Sequence, residues 1–129
     1  MFTRLSPSWM DESARSFGYS PGIRVGDLIF VSGLIGRGPD GNVPESVEEQ
    51  TALILDSLEQ VLAEGGAALR NVVQVITYHT DLSEVRLFAD GRGEPFDAET
   101  PPTWTAIGVN GLAHPGARVE LQALAVVTH

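Results

Sequence analysis

The chain has 129 residues, 43% of them hydrophobic and 19% charged, the balance of a folded domain with room for one core. Seventeen acids against eight bases leave a net charge of −9, a field that repels phosphate backbones and disfavours nucleic acid as a partner. All eight bases are arginine and cysteine is absent, which excludes a Schiff-base lysine, a lysine-bound pyridoxal cofactor, disulfides and thiolate chemistry.

Residues 1–22 read as polar and loop-rich, with one short strand at 2–5 and no apolar core of a secretion signal. No apolar run approaches the ~18 residues that cross a bilayer. A cytoplasmic protein without a membrane partner is expected. Residues 23–25 and 28–32 are apolar runs around Gly26-Asp27, the pattern of a hairpin whose second strand is buried on both faces. Residues 33–42 read as a glycine-rich loop that lacks the Gly-Lys-Ser/Thr ending of a phosphate loop.

Ser46-Val47-Glu48-Glu49 is a capping box that opens a helix. Ile54, Leu55, Leu58, Val61 and Leu62 follow at spacings of three and four and mark its buried stripe. Gly65-Gly66 ends it with a residue free to turn left-handed. Residues 72–80 are rich in β-branched and aromatic side chains and read as a strand. Asp81-Leu82-Ser83-Glu84 caps a second helix that turns Val85 and Phe88 inward and weakens at Gly91 and Gly93. Pro101-Pro102 is a stop, and residues 103–109 form the next strand. After the turn at His114-Pro115-Gly116 comes the last strand, 118–127. Its residues Val119, Leu121, Ala123 and Ala125 face one way, and Arg118, Glu120 and Gln122 the other.

The expected fold is one α+β domain with a mixed sheet and two helices on one face. Two helices cannot cover both faces of such a sheet, so the other face is left for self-association. His79, beside Asp81 at a strand end, is the natural general acid or base near neutral pH; structural packing is the bland alternative. His114 lies in a turn and His129 is terminal, so no metal site is expected.

Several segments carry a family resemblance: Gly18-Tyr19-Ser20, the run Gly26-Asp27-Leu28-Ile29-Phe30-Val31-Ser32-Gly33, and the helix from Gln50 to Gly65-Gly66-Ala67. They continue through Val72-Val73-Gln74-Val75 with Asp81-Leu82 to Pro115-Gly116-Ala117-Arg118-Val119-Glu120. In this order and spacing, over about residues 17 to 127, the chain resembles the Rid/YjgF superfamily of reactive-intermediate (enamine/imine) deaminases. The resemblance implies a chorismate-mutase-like fold, a homotrimer with ligand clefts between subunits, and hydrolysis without a cofactor. It also assigns residues. Glu120 would hold or activate water, and the Tyr19 hydroxyl would orient substrate. Gly33 and Leu34 would present backbone amides, with Ala106 completing the substrate-binding set.

One departure is chemically large. Trp104 stands where deaminating members hold the arginine that grips the substrate carboxylate. An arginine fork makes charge-assisted bonds contributing roughly 1.5–3 kcal/mol each; an indole offers one neutral donor and an apolar face. The run Trp104-Thr105-Ala106-Ile107-Gly108-Val109 is similar to a divergent, YjgH-like branch without that arginine, and the family's helix asparagine is here Ala89. Substrates larger or more aromatic than small 2-imino acids are therefore expected. A non-catalytic metabolite-binding trimer stays open as the alternative. Ribonuclease activity, a label attached to this family, is disfavoured by the acidic charge and the missing lysine.

Overall fold

Strict alternation builds the last strand, β6 (Val119–Val126), whose Val119, Leu121, Ala123 and Ala125 are buried while Gln122 is exposed. Such a period of two suits a strand covered on one face. The computed structural model describes residues 1–128, so the expectation for His129 lies outside the described residues. In it β6 lies between β3 (Leu28–Ile35) and β4 (Val72–His79), antiparallel to both. On one side β2 (Gly22–Val25) and β1 (Phe2–Leu5) extend the sheet antiparallel; on the other β5 (Thr103–Gly108) pairs parallel with β4. The order is β1-β2-β3-β6-β4-β5, a mixed sheet with the chain's last strand near its centre.

The hairpin forms as expected, with Gly26 at φ +56° in its turn, a backbone region that suits a residue without Cβ. Its second strand differs from expectation. Ile29 and Val31 are buried, but Leu28 and Phe30 are exposed, so β3 is covered on one face only. A register shift between Val31 and Leu34 lets the strand run on through Gly33, Leu34 and Ile35, residues expected to open the loop. The bulge admits the extra residue without losing the sheet.

Helix α2 (Val47–Glu64) is capped as its sequence requires: Ser46 Oγ accepts the Glu49 N–H at 3.0 Å, and Gly66 turns at φ +80° beyond its end. Ile54, Leu58, Val61 and Leu62 are fully buried beneath it. A short 3-10 turn at Leu82–Glu84, held by Asp81 Oδ1 accepting the Ser83 N–H, precedes α3 (Val85–Arg92). Phe88 of α3 is buried and Val85 half-buried. Gln50 on α2 sits inside the fold and satisfies its amide completely. It donates to Pro44 O (2.8 Å) and Gly116 O (3.0 Å) and accepts the Arg118 N–H (2.9 Å). That amide ties the turn before β6 to α2 and so sets where Glu120 begins its strand.

The N-terminal stretch is not the loop expected. Residues Ser8–Phe17 form a third helix, α1. Gly18 closes it at φ +81°, donating its N–H to Ala14 O and Arg15 O, and Trp9 Nε1 donates to Gln60 Oε1 of α2 at 2.8 Å. Only Ala14 of α1 is fully buried. A ten-residue helix is too short to be stable alone and is ordered by its neighbours, although Met10, Ala14 and Phe17 already stand at helical spacings of four and three in the sequence.

Helices α2 and α3 share one face of the sheet with the core. On the opposite face Phe2, Val25, Leu28, Phe30 and Ile107 are exposed and Ile76 and Leu124 half-buried.

Candidate functional site

Glu120 pairs with Ile35 of β3 and Tyr78 of β4, on the side of β6 away from α2. Its carboxylate lies directly over Gly33: a Cβ placed on that glycine would be 2.4 Å from Oε2 and 2.8 Å from the carboxyl carbon. No side chain or backbone donor among the described residues bonds to this carboxylate, and partial burial pushes its pKa up. Desolvation disfavours the charged form and nothing nearby compensates it. A carboxylate so placed is suited to act as a general base.

Glu120 and Gly33 line a cavity of about 590 Å³ together with Tyr19 and Leu34. Four of the seven residues singled out in the sequence therefore converge. Sequence reasoning missed other members of the same wall. Trp9 and Phe17 come from α1, Arg37 from the loop after β3, and His114 from the turn before β6. The glycine-rich composition of residues 33–42 signalled a loop but not that it borders a cavity, and α1 escaped notice altogether.

The remaining three lie elsewhere. Trp104 pairs with Val75 and Ala106 with Thr77 on β4, on the face that carries the helices. The indole Nε1–H donates to Thr77 Oγ1 at 2.9 Å, and the same hydroxyl is 2.7 Å from His79 Nε2. Because the indole can only donate, the threonine oxygen accepts from it and its own proton is free to go to His79 Nε2. That order leaves the histidine proton on Nδ1, which is buried without a partner among the described residues. His79 is fully buried, its pKa is lowered by desolvation, and it lines neither cavity. Its visible work is to hold, through Thr77, the tryptophan above it. Phe88 packs against both, its ring 6.0 Å from the His79 ring and 5.5 Å from the indole.

Trp104 also lines a second cavity of about 190 Å³ with Val75, Phe88, Arg92, Phe96, Pro101 and Pro102. Glu120 and Trp104 thus sit on opposite faces of one sheet and in separate cavities. Within a single chain they cannot face one another. Among the described residues no three His, Asp or Glu side chains are close enough to share a metal ion, and no helix is long and apolar enough to cross a membrane.

Known proteins share this fold. The family model described as Endoribonuclease L-PSP matches residues 11–127. A RutC family protein of Escherichia coli, YjgH, is 36% identical over 108 residues, covering 83% of this chain and 81% of its own length. The Arabidopsis thaliana protein named Reactive Intermediate Deaminase A, chloroplastic, is 29% identical over 115 residues, 84% of this chain and 58% of that one. The crystal structure of a Mycobacterium tuberculosis member of the YjgF/YER057c/UK114 family superposes with a TM-score of 0.84 at 30% identity, covering 98% of this chain and all of the other. A match running from α1 to the residue after β6, with the Glu120 strand at the sheet's centre, leaves one conclusion: the chain belongs to the Rid/YjgF superfamily.

Proposed function

We propose that the protein hydrolyses an imine, enamine or related small-molecule intermediate, without a cofactor, in a homotrimer. The observation that carries this reading is Glu120: a half-buried carboxylate with a raised pKa and no hydrogen-bond partner among the described residues, lying against a side-chain-free position in a cavity that also holds Tyr19. Glu120 takes a proton from water as the water oxygen bonds to the C=N carbon. The nitrogen then gains protons and departs as ammonia, leaving a carbonyl. Residues 33 and 34 border the same cavity, where backbone amides suit a developing negative charge. The deaminase name of the Arabidopsis relative supports the reaction class.

Two observations support self-association, and three copies is what the family resemblance implies. The sheet face opposite the helices is apolar and uncovered, and residues 104 and 120 lie on opposite faces, so only a second copy can bring one indole to another chain's carboxylate. A shared cleft with a tryptophan wall suits substrates larger or more aromatic than a pyruvate-like imine. His79 serves there as a positioning group behind Trp104. A cytoplasmic location belongs to the same reading.

The test is ammonia release from freshly generated imines of aromatic and aliphatic amino acids, read with a coupled enzyme. Glu120→Ala is expected to lower the rate about 100-fold or more without loss of fold. An unimpaired variant, or silence across the panel, overturns the reading. A second reading, a non-catalytic metabolite-binding trimer, is favoured by one observation: the Trp104 N–H is already committed to Thr77 and offers substrate no donor. A ligand that raises the melting temperature without turnover would select it. RNA cleavage is disfavoured by the net charge of −9.

A further inference from the structure

Five of the eight arginines, Arg4, Arg15, Arg24, Arg86 and Arg118, make ion pairs. Arg92, at the end of α3, makes none among the described residues, in a chain with more than twice as many acids as bases. Its surroundings are specific nonetheless. The guanidinium carbon is 5.7 Å from the centre of the Phe96 ring and 5.9 Å from that of Trp104. Two aromatic rings therefore hold it by their negative faces. A ring face does not accept the in-plane N–H donors, and Nε is buried with no acceptor among the described residues. A positioned guanidinium on a half-buried side chain, its Nε desolvated and unpaired among the described residues, is an unfinished arrangement.

Arg92 also borders the 190 Å³ cavity, whose other walls are Val75, Phe88, Phe96, Pro101, Pro102 and Trp104. Its lining contains one charge, and that charge is positive. An apolar cavity of about 150 Å³ is enough to bind a benzene, so this space suits a carboxylate carried on one small ring. The indole N–H is bonded to Thr77, so Trp104 contributes a face rather than a donor. The two prolines have fixed φ and stiffen the wall opposite.

We propose that Arg92 is the anion-binding group of this cavity, and that the cavity takes a monocarboxylate carried on a planar, apolar body. The fork pairs with both carboxylate oxygens, while Trp104, Phe88 and Phe96 enclose the body. The anion site stands on this cavity alone; only its membership in the catalytic cleft rests on the function proposed above. In that cleft Arg92 selects aromatic or bulky 2-imino acids by their carboxylate, from a helix rather than from the strand position that Trp104 occupies.

The chain has two tryptophans, Trp9 and Trp104, so a Trp9→Phe background makes Trp104 the sole indole reporter. Benzoate and its neutral isostere benzamide are titrated against indole emission and by calorimetry. Benzoate is expected to bind saturably and at least tenfold more tightly than benzamide, with Arg92→Gln removing that preference. Arg92→Lys keeps the charge but not the fork and is expected to weaken benzoate several-fold. Should Arg92→Gln fail to fold, the benzoate-to-benzamide ratio in the parent and in Arg92→Lys still decides. Equal binding of acid and amide, or an unchanged ratio in a folded Arg92→Gln, overturns the proposal, as does inorganic phosphate competing as well as benzoate. None of these measurements reads ammonia. Loss of the Arg92 effect leaves the Glu120 reaction standing, and loss of that reaction leaves the anion site standing.

Discussion

At position 33 the absence of a side chain allows Glu120 to lie where it does. A Cβ there would meet the end of the Glu120 side chain, which can swing away, so Gly33→Ala is expected to cost little stability. It should displace the carboxylate, and kcat/KM is expected to fall at least tenfold while the melting temperature barely moves. Glu120 itself trades stability for chemistry. A folded-state pKa raised above the unfolded one means a contribution present in full below roughly pH 4 and lost as pH rises through the folded value. Glu120→Gln is therefore expected to melt a few degrees higher than the parent at pH 7. That gap should close on acidification toward pH 4; thermal scans across pH would show a constant gap if the cause were packing instead. Of the individual residues, Glu120 and the indole at 104 were legible from their places in the family pattern, with alternation along its strand adding only that Glu120 lies on the polar side. The hydroxyl and imidazole that hold that indole were not, because Thr77 and His79 meet it only through the β4–β5 register.

Among the elements, α2 was readable almost residue by residue, since its cap, its stripe and its terminating glycines are all local. Ser46→Ala is expected to cost about 1 kcal/mol. Gly36→Ala is a sharper test of how the loop after β3 is held. A Cβ there would lie 2.4 Å from the Gln50 Cα, backbone that cannot swing aside, and about 2 kcal/mol or more is expected from such overpacking. Denaturant unfolding of the two variants should rank Gly36→Ala as the more damaging. Because Gln50 bonds Gly116 and Arg118 just ahead of β6, Gly36→Ala should also depress activity; Ser46→Ala should not. Helix α1 is the opposite case. Its signals were present, with Met10, Ala14 and Phe17 at helical spacing, Asp11 in its first turn, Arg15 in its last and Gly18 after it, but ten residues are too few to be helical without neighbours to pack on.

For the molecule as a whole, the separation of Trp104 from Glu120 by the thickness of the sheet is the central fact. A half-exposed Phe30, together with exposed Phe2, Leu28 and Ile107, makes the open face an economical surface for self-association. If clefts form between copies, a site needs Trp104 from one chain and Glu120 from another. Glu120→Gln and Trp104→Ala proteins, each inactive alone, are then expected to regain about a quarter of parent activity when co-refolded in equal amounts, since one site in four pairs two intact residues. Sedimentation should report particles of three chains throughout. No recovery in mixed particles would sink the shared cleft.

The linear order of residues determined by itself whatever depends on neighbours along the chain: the period of β6, the hairpin turn at Gly26, the boundaries of α2, and the acid-rich, lysine-free chemistry that narrows function. Tertiary structure alone decided what depends on distant segments meeting. That includes placing β6 at the centre of the sheet, ordering α1 against α2, and passing Gly33 under a carboxylate 87 positions away. It also put Arg92 beside two rings with no acid among the described residues to neutralise it. Contacts of that kind are set by register and packing across the sheet, and no period along the chain encodes them.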